Sequence, residues 1–130
     1  METFKLFSNE HFILIISNIL FFTFLLFIAN FFNKRYFAKI SAITIFILKL
    51  AELTYRHLYN NEEIFQLLPL HLCNITLIFV IIMMLSGSKT LFQLCFYWSL
   101  GAIFAIATPD VKYSFPNFMT LSFFTTHFYI

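Results

Sequence analysis

From Phe12 to Phe32 the chain runs without one charged side chain. A helix over that run rises about 1.5 Å per residue, enough to cross the roughly 30 Å of hydrocarbon in a bilayer. Soluble domains carry about a quarter charged residues. Here 11% are charged and 61% are hydrophobic, so charged side chains are too few to cover a water-facing surface. The expected fold is therefore all-α: a polytopic transmembrane helical bundle forming a single integral membrane domain over residues 1–130.

Hydropathy and breakers divide the chain into five apolar segments. The first spans about 12–32 and ends at Asn33-Lys34-Arg35. The second, about 36–58, holds Lys49, Glu52 and Arg56 inside the apolar run and is followed by the acidic stretch Asn60-Asn61-Glu62-Glu63. The third, about 67–85, accepts Pro69 in its first turn. Ser86-Gly87-Ser88-Lys89 connects it to the fourth, about 90–108, which Pro109-Asp110 closes. Asn117 is a suitable N-cap for a fifth helix over 117–130. Four full spans and a short fifth are expected.

Lys34, Arg35 and Lys89 fall in alternate connections, whereas Glu62, Glu63 and Asp110 fall in the others. The positive-inside rule then puts the N-terminus outside and the basic loops in the cytoplasm. The first apolar run lacks a small-residue cleavage site behind it, which reads as a retained span rather than a signal peptide.

Depth follows from helical rise. Glu52 and Arg56 fall roughly 3 to 9 Å below the outer boundary, His71, Cys73 and Asn74 roughly 6 to 11 Å, and His127 roughly 15 Å. Three helices thus bring polar side chains to the outer half of the membrane. Lys49, Glu52 and Arg56 stand at i, i+3 and i+7 on one helix face, where Glu52 has a cation on either side. Such a triad serves either as an ion network that aligns helices or as the lining of a substrate pathway.

Cys73 is the candidate nucleophile, since a thiol supplied with a base becomes a thiolate. His71, two residues away, points to a different side of its helix, which leaves His127 as the better-placed base. His71 and Asn74 would then orient groups or donate to a developing oxyanion. On residues alone, a lone Cys in an apolar helix is more often a small core residue than a nucleophile. Cys95 lies roughly 10 Å deeper than Cys73 and reads as packing, with no disulfide across that offset.

Other classes find no support. A net charge of +2 without a basic stripe gives nucleic acid nothing to bind. No metal site is expected, because His71 and Cys73 at i, i+2 have poor ligand geometry. No cofactor is expected, because the chain lacks a Gly-rich phosphate loop, a bis-histidine pair at helical spacing and a CxxC.

The run LPLHLC at 68–73, Glu52 and Arg56 upstream, Pro109-Asp110 and FFTTHF at 123–128 together resemble the YwaF-like family of bacterial integral membrane proteins. That family is similar to transmembrane protein 164 of animals. The order of the motifs fits, as do the 54 positions between Cys73 and His127, and the resemblance covers most of the chain. It implies acyl transfer from a phospholipid to a lysolipid, with Cys73 forming an acyl-thioester and His127 acting as base. Asp110, Glu52, Arg56, His71 and Asn74 would be supporting or substrate-binding groups. Remote kin with a Thr–His pair hydrolyse lipid esters.

The implied location is a bacterial plasma membrane, and the implied partner is membrane lipid. The family fold holds six or seven helices, so this chain reads as truncated after the fifth. The missing helices would come from a homo-oligomer or a partner chain. The alternatives are a small-solute transporter or binding protein and an inactive fragment.

Overall fold

The computed structural model describes residues 3–60, 72–112 and 114–130. These form five α-helices: α1 Asn9–Ala29, α2 Lys34–Asn60, α3 Leu72–Ser86, α4 Lys89–Ala107 and α5 Phe118–Tyr129. Among the described residues there is no β-strand.

Polar caps rather than hydropathy set the helix ends. The Ser8 side chain accepts from His11 N–H and starts α1 ahead of the apolar run, and Asn30 ends it before Phe31 and Phe32. The Asn33 carboxamide oxygen accepts from the amides of Arg35 and Tyr36 at the start of α2. Gly87, at φ +71°, turns the chain out of α3, and its N–H donates to Met83 O. Ser88 then caps α4 by accepting from Leu91 N–H. Asn117 caps α5 as expected, accepting from Met119 N–H. At the starts of α1, α2, α4 and α5 a side-chain oxygen satisfies an amide that the first turn leaves without a partner.

Two helices, α1 and α4, are long and apolar enough to cross a membrane, and only 11% of either apolar window is buried. α2 is longer, 27 residues, but carries charges along its length. The described part of α3 is apolar and 15 residues long. α5 has 12 residues, roughly 18 Å at the helical rise.

The distribution of side chains is inverted relative to a soluble domain. Among the described residues the buried set includes His11, Asn18, Glu52, Thr76, Ser122 and Thr126. Large apolar groups such as Leu20, Leu26 and Phe104 are about two-thirds exposed or more, at 65%, 69% and 72%. In water that arrangement is costly on both counts. In hydrocarbon it is the favoured one, because the inward polar groups find partners there.

Packing explains which polar groups meet. α3 packs against α2 and α4, and the short α5 contacts all four other helices. α5 is the axis of the bundle. Thr120, Ser122, Phe124 and Thr126 are buried along it, so this helix carries hydroxyls into the interior.

Candidate functional site: a buried ion pair beside a histidine

Lys49 and Glu52 lie one turn apart on α2, and Lys49 Nζ donates to Glu52 Oε1 at 2.8 Å. The other carboxylate oxygen, Oε2, accepts from Ser122 Oγ of α5 at 2.6 Å. Glu52 is 7% exposed, yet both its oxygens have partners, which is the condition for tolerating a buried carboxylate. The sequence left Glu52 a choice of two cations, and the structure pairs it with Lys49. Arg56, half-buried one turn further on, has its own partner.

His127 stands on α5 just over a turn beyond Ser122. Its Nδ1 lies 2.7 Å from Phe123 O. A carbonyl only accepts, so Nδ1 carries the proton and the Nε2 lone pair is the basic atom. The Phe123 ring covers the imidazole at 4.1 Å between centroids. The charges of Lys49 and Glu52 both act on the ring. A backbone carbonyl thus fixes the tautomer, and an ion pair supplies the local field.

Cys73 is half-buried in the first turn of the described α3. It shares a stripe with Thr76, Leu77 and Val80, at i+3, i+4 and i+7, all three buried. The thiol therefore lies on the inward side of its helix. Asn74, next round the helix, is also half-buried. His71 lies outside the described residues. Asp110 is exposed in the α4–α5 connection.

The relative height of Cys73 and His127 follows from a contact lower in the bundle. Tyr129 Oη donates to Met84 Sδ at 3.0 Å. Met84 lies eleven residues past Cys73 and Tyr129 two past His127, so Cys73 stands nine residues, roughly 13 to 14 Å, nearer the α2–α3 end. Both side chains lean toward the N-termini of their own helices, so that height difference stands. Among the described residues no hydrogen bond joins the two.

Two buried groups escaped the sequence reading. Ser122 was hidden among apolar neighbours, although hydroxyls at 120, 122, 125 and 126 in so apolar a helix are a visible signal. His11, 1% exposed, sits just ahead of the first apolar run. Its Nε2–H donates to Ile106 O at 2.9 Å, and its Nδ1 accepts from Phe7 N–H at 3.3 Å. Ile106 O is one of the last-turn carbonyls that α4 leaves open, so His11 caps α4 from α1. Among the described residues no group of three or more His, Cys, Asp or Glu is arranged to hold a metal ion.

Comparison with known proteins places these residues in context. The model of the TMEM164 family matches residues 6–130. No curated protein matches, and no solved structure matches.

Proposed function

Because the chain belongs to the TMEM164 family, whose members are membrane proteins, we propose that it is a multi-pass protein that transfers acyl groups between membrane phospholipids. Cys73 is the nucleophile and His127 the base. The observation that carries this reading is the Nδ1 hydrogen bond to Phe123 O. It leaves Nε2 of His127 as a proton acceptor on a helix that touches the one bearing Cys73.

The chemistry runs in two halves. His127 Nε2 takes the Cys73 proton. The thiolate attacks the ester carbonyl carbon of a phospholipid. The C–O bond to the glycerol breaks, the imidazolium returns its proton to the departing alkoxide, and a lysolipid leaves behind an acyl-thioester. A hydroxyl of a second lysolipid then attacks that thioester. Its proton passes to His127, the C–S bond breaks, and the imidazolium reprotonates the thiolate.

Glu52 supports the imidazolium, while Lys49 keeps the cluster near neutral when the histidine is uncharged. Asn74, next round the helix from Cys73, is the candidate amide for the oxyanion; His71 and Arg56 stay candidates for the lipid headgroup, and Asp110 for the rim. In this reading α2 and α3 complete four spans in one membrane domain, α5 is a short fifth helix, and the N-terminus lies outside.

The test is acyl transfer from a labelled phosphatidylcholine to a lysolipid in reconstituted vesicles. Cys73→Ser abolishes it, and His127→Ala lowers it by about 10²- to 10⁴-fold. Cys95→Ser leaves it intact. Transfer that persists in Cys73→Ser refutes the assignment.

The second reading, a carrier for an anionic solute lined by Lys49, Arg56 and His127, draws on the same ionisable groups. The closed Lys49–Glu52–Ser122 arrangement weighs against it, since Glu52 already neutralises Lys49. Solute uptake that survives Cys73→Ala and fails in Arg56→Ala would favour the carrier.

A further inference from the structure

Residues 3–8 run back over the end of the bundle where α4 finishes and α5 begins. Phe4 N–H donates to Lys112 O at 3.4 Å, and the Glu10 carboxylate accepts from Phe115 N–H. The rings of Phe4 and His11 both lie against Phe124 of α5, at 6.2 and 5.8 Å between centroids, and Phe124 is fully buried. Residues 3–8 are thus a strap that ties α1 to the α4–α5 connection and covers Phe124. We infer that the strap is a proton-operated catch, held shut by the neutral imidazole of His11 and released when that ring takes up a proton.

His11 serves two partners, and only an uncharged ring serves both. Its Nε2–H donates to Ile106 O at 2.9 Å, and its Nδ1 accepts from Phe7 N–H at 3.3 Å. A proton added at Nδ1 makes that nitrogen a donor. Two N–H groups then face each other, and the Phe7 amide loses its acceptor. Among the described residues Phe7 alone of the non-glycines has a positive φ, +56°, a left-handed conformation that a side chain adopts only at a cost. Once its hydrogen bond is gone, that strain favours departure.

The surroundings offer the new charge no partner. His11 is 1% exposed. Among the described residues α5 has no titratable group from Phe118 to Phe124, and α4 has none from Trp98 to Ala107. On its own helix, half-buried Glu10 is engaged by Phe115 N–H. In the strap and the connection Lys5 and Lys112 add positive charge, and Asp110 is exposed. An imidazolium is accommodated in water and not in this setting. The closed strap therefore prevails at higher pH and gives way as pH falls, its opening constant rising by up to about tenfold per pH unit for one proton. Release uncovers Phe124, whose neighbour Phe123 lies against His127, and so opens a path from the membrane surface toward the proposed site. The catch itself is independent of the acyl-transfer reading.

Spin labels on Leu6→Cys and Thr108→Cys, in a background of Cys73→Ser and Cys95→Ser, read the separation of strap and α4 in vesicles containing the full chain. Between about pH 8 and about pH 5, the interval in which imidazoles change charge, a short distance is expected to give way to a longer one with the steepness of a single proton. His11→Gln, whose amide can donate to Ile106 O and accept from Phe7 N–H without titrating, keeps the short distance throughout. His11→Phe gives the long distance throughout. Glu10→Gln, which still accepts from Phe115 N–H, leaves the transition in place.

A transition that persists in His11→Gln would belong to general acid unfolding, and one that vanishes in Glu10→Gln would belong to the carboxylate. Either result overturns the assignment to His11, as does a short distance that holds in the parent down to about pH 5.

Discussion

At the scale of single residues, Glu52 has both carboxylate oxygens committed. It neutralises Lys49 and ties α2 to Ser122 of α5. Glu52→Ala strands a lysine whose side chain is 15% exposed, and is expected to destabilise the protein by about 3–5 kcal/mol. Lys49→Met combined with Glu52→Leu removes both charges and is expected to recover most of that loss, because apolar replacements of a buried pair are often neutral or better. Denaturant titration in detergent micelles measures both. Equal instability of the single and double variants would show that the pair does more than balance charge. His11 gives a parallel test between α1 and α4. His11→Phe leaves Ile106 O without its donor and should cost about 1–3 kcal/mol, with His11→Gln milder because its amide can still donate.

The residue scale also shows what could be read in advance. Lys49, Glu52 and Arg56 share a face by spacing alone, and the ion pair follows from that spacing. Ser122 as the partner of Glu52 was not legible, because helical periodicity says which residues of one helix align and nothing about which helix faces them. The tautomer of His127 was hidden for a different reason: it depends on a backbone carbonyl at i−4 whose availability the sequence does not encode.

At the scale of elements, the helix ends were partly legible. Asn117 and the Ser86–Lys89 connection read correctly because caps and a glycine carry local signatures. The first helix is displaced toward the N-terminus relative to the apolar run, since Ser8 starts it and Asn30 stops it regardless of the phenylalanines that follow. Gly87 offers the element-scale prediction. At φ +71° a side chain is strained even though nothing crowds the position, so Gly87→Ala should cost about 1–2 kcal/mol and Gly87→Asn less. Thermal unfolding followed by circular dichroism reads the difference, and equal melting of Gly87→Ala and the parent would mean the turn relaxes freely. The central place of α5 had no local signature. The sequence showed only a short fifth helix, whereas the buried hydroxyls of Thr120, Ser122 and Thr126 lie along it where it packs at the axis.

For the whole molecule, the polar interior and apolar exterior account for the composition from which the fold class was read. The membrane setting was legible because composition is a global property. Cys73 and His127 are the pair that resemblance and spacing select; their pairing stays a proposal, because it would depend on how three helices pack. Orientation is tested by single cysteines in a background of Cys73→Ser and Cys95→Ser: Asp110→Cys should react with an impermeant maleimide in intact cells, and Ser88→Cys only after permeabilisation.

The most direct measurement is the mass of the Cys73 peptide after the reconstituted protein has met a phospholipid of defined chains and no lysolipid acceptor. The expected result is an increment of one acyl group on Cys73, released by hydroxylamine and missing when His127 is replaced by alanine. An unmodified Cys73 under those conditions, or an acyl group found on Cys95 instead, would contradict covalent transfer through this thiol.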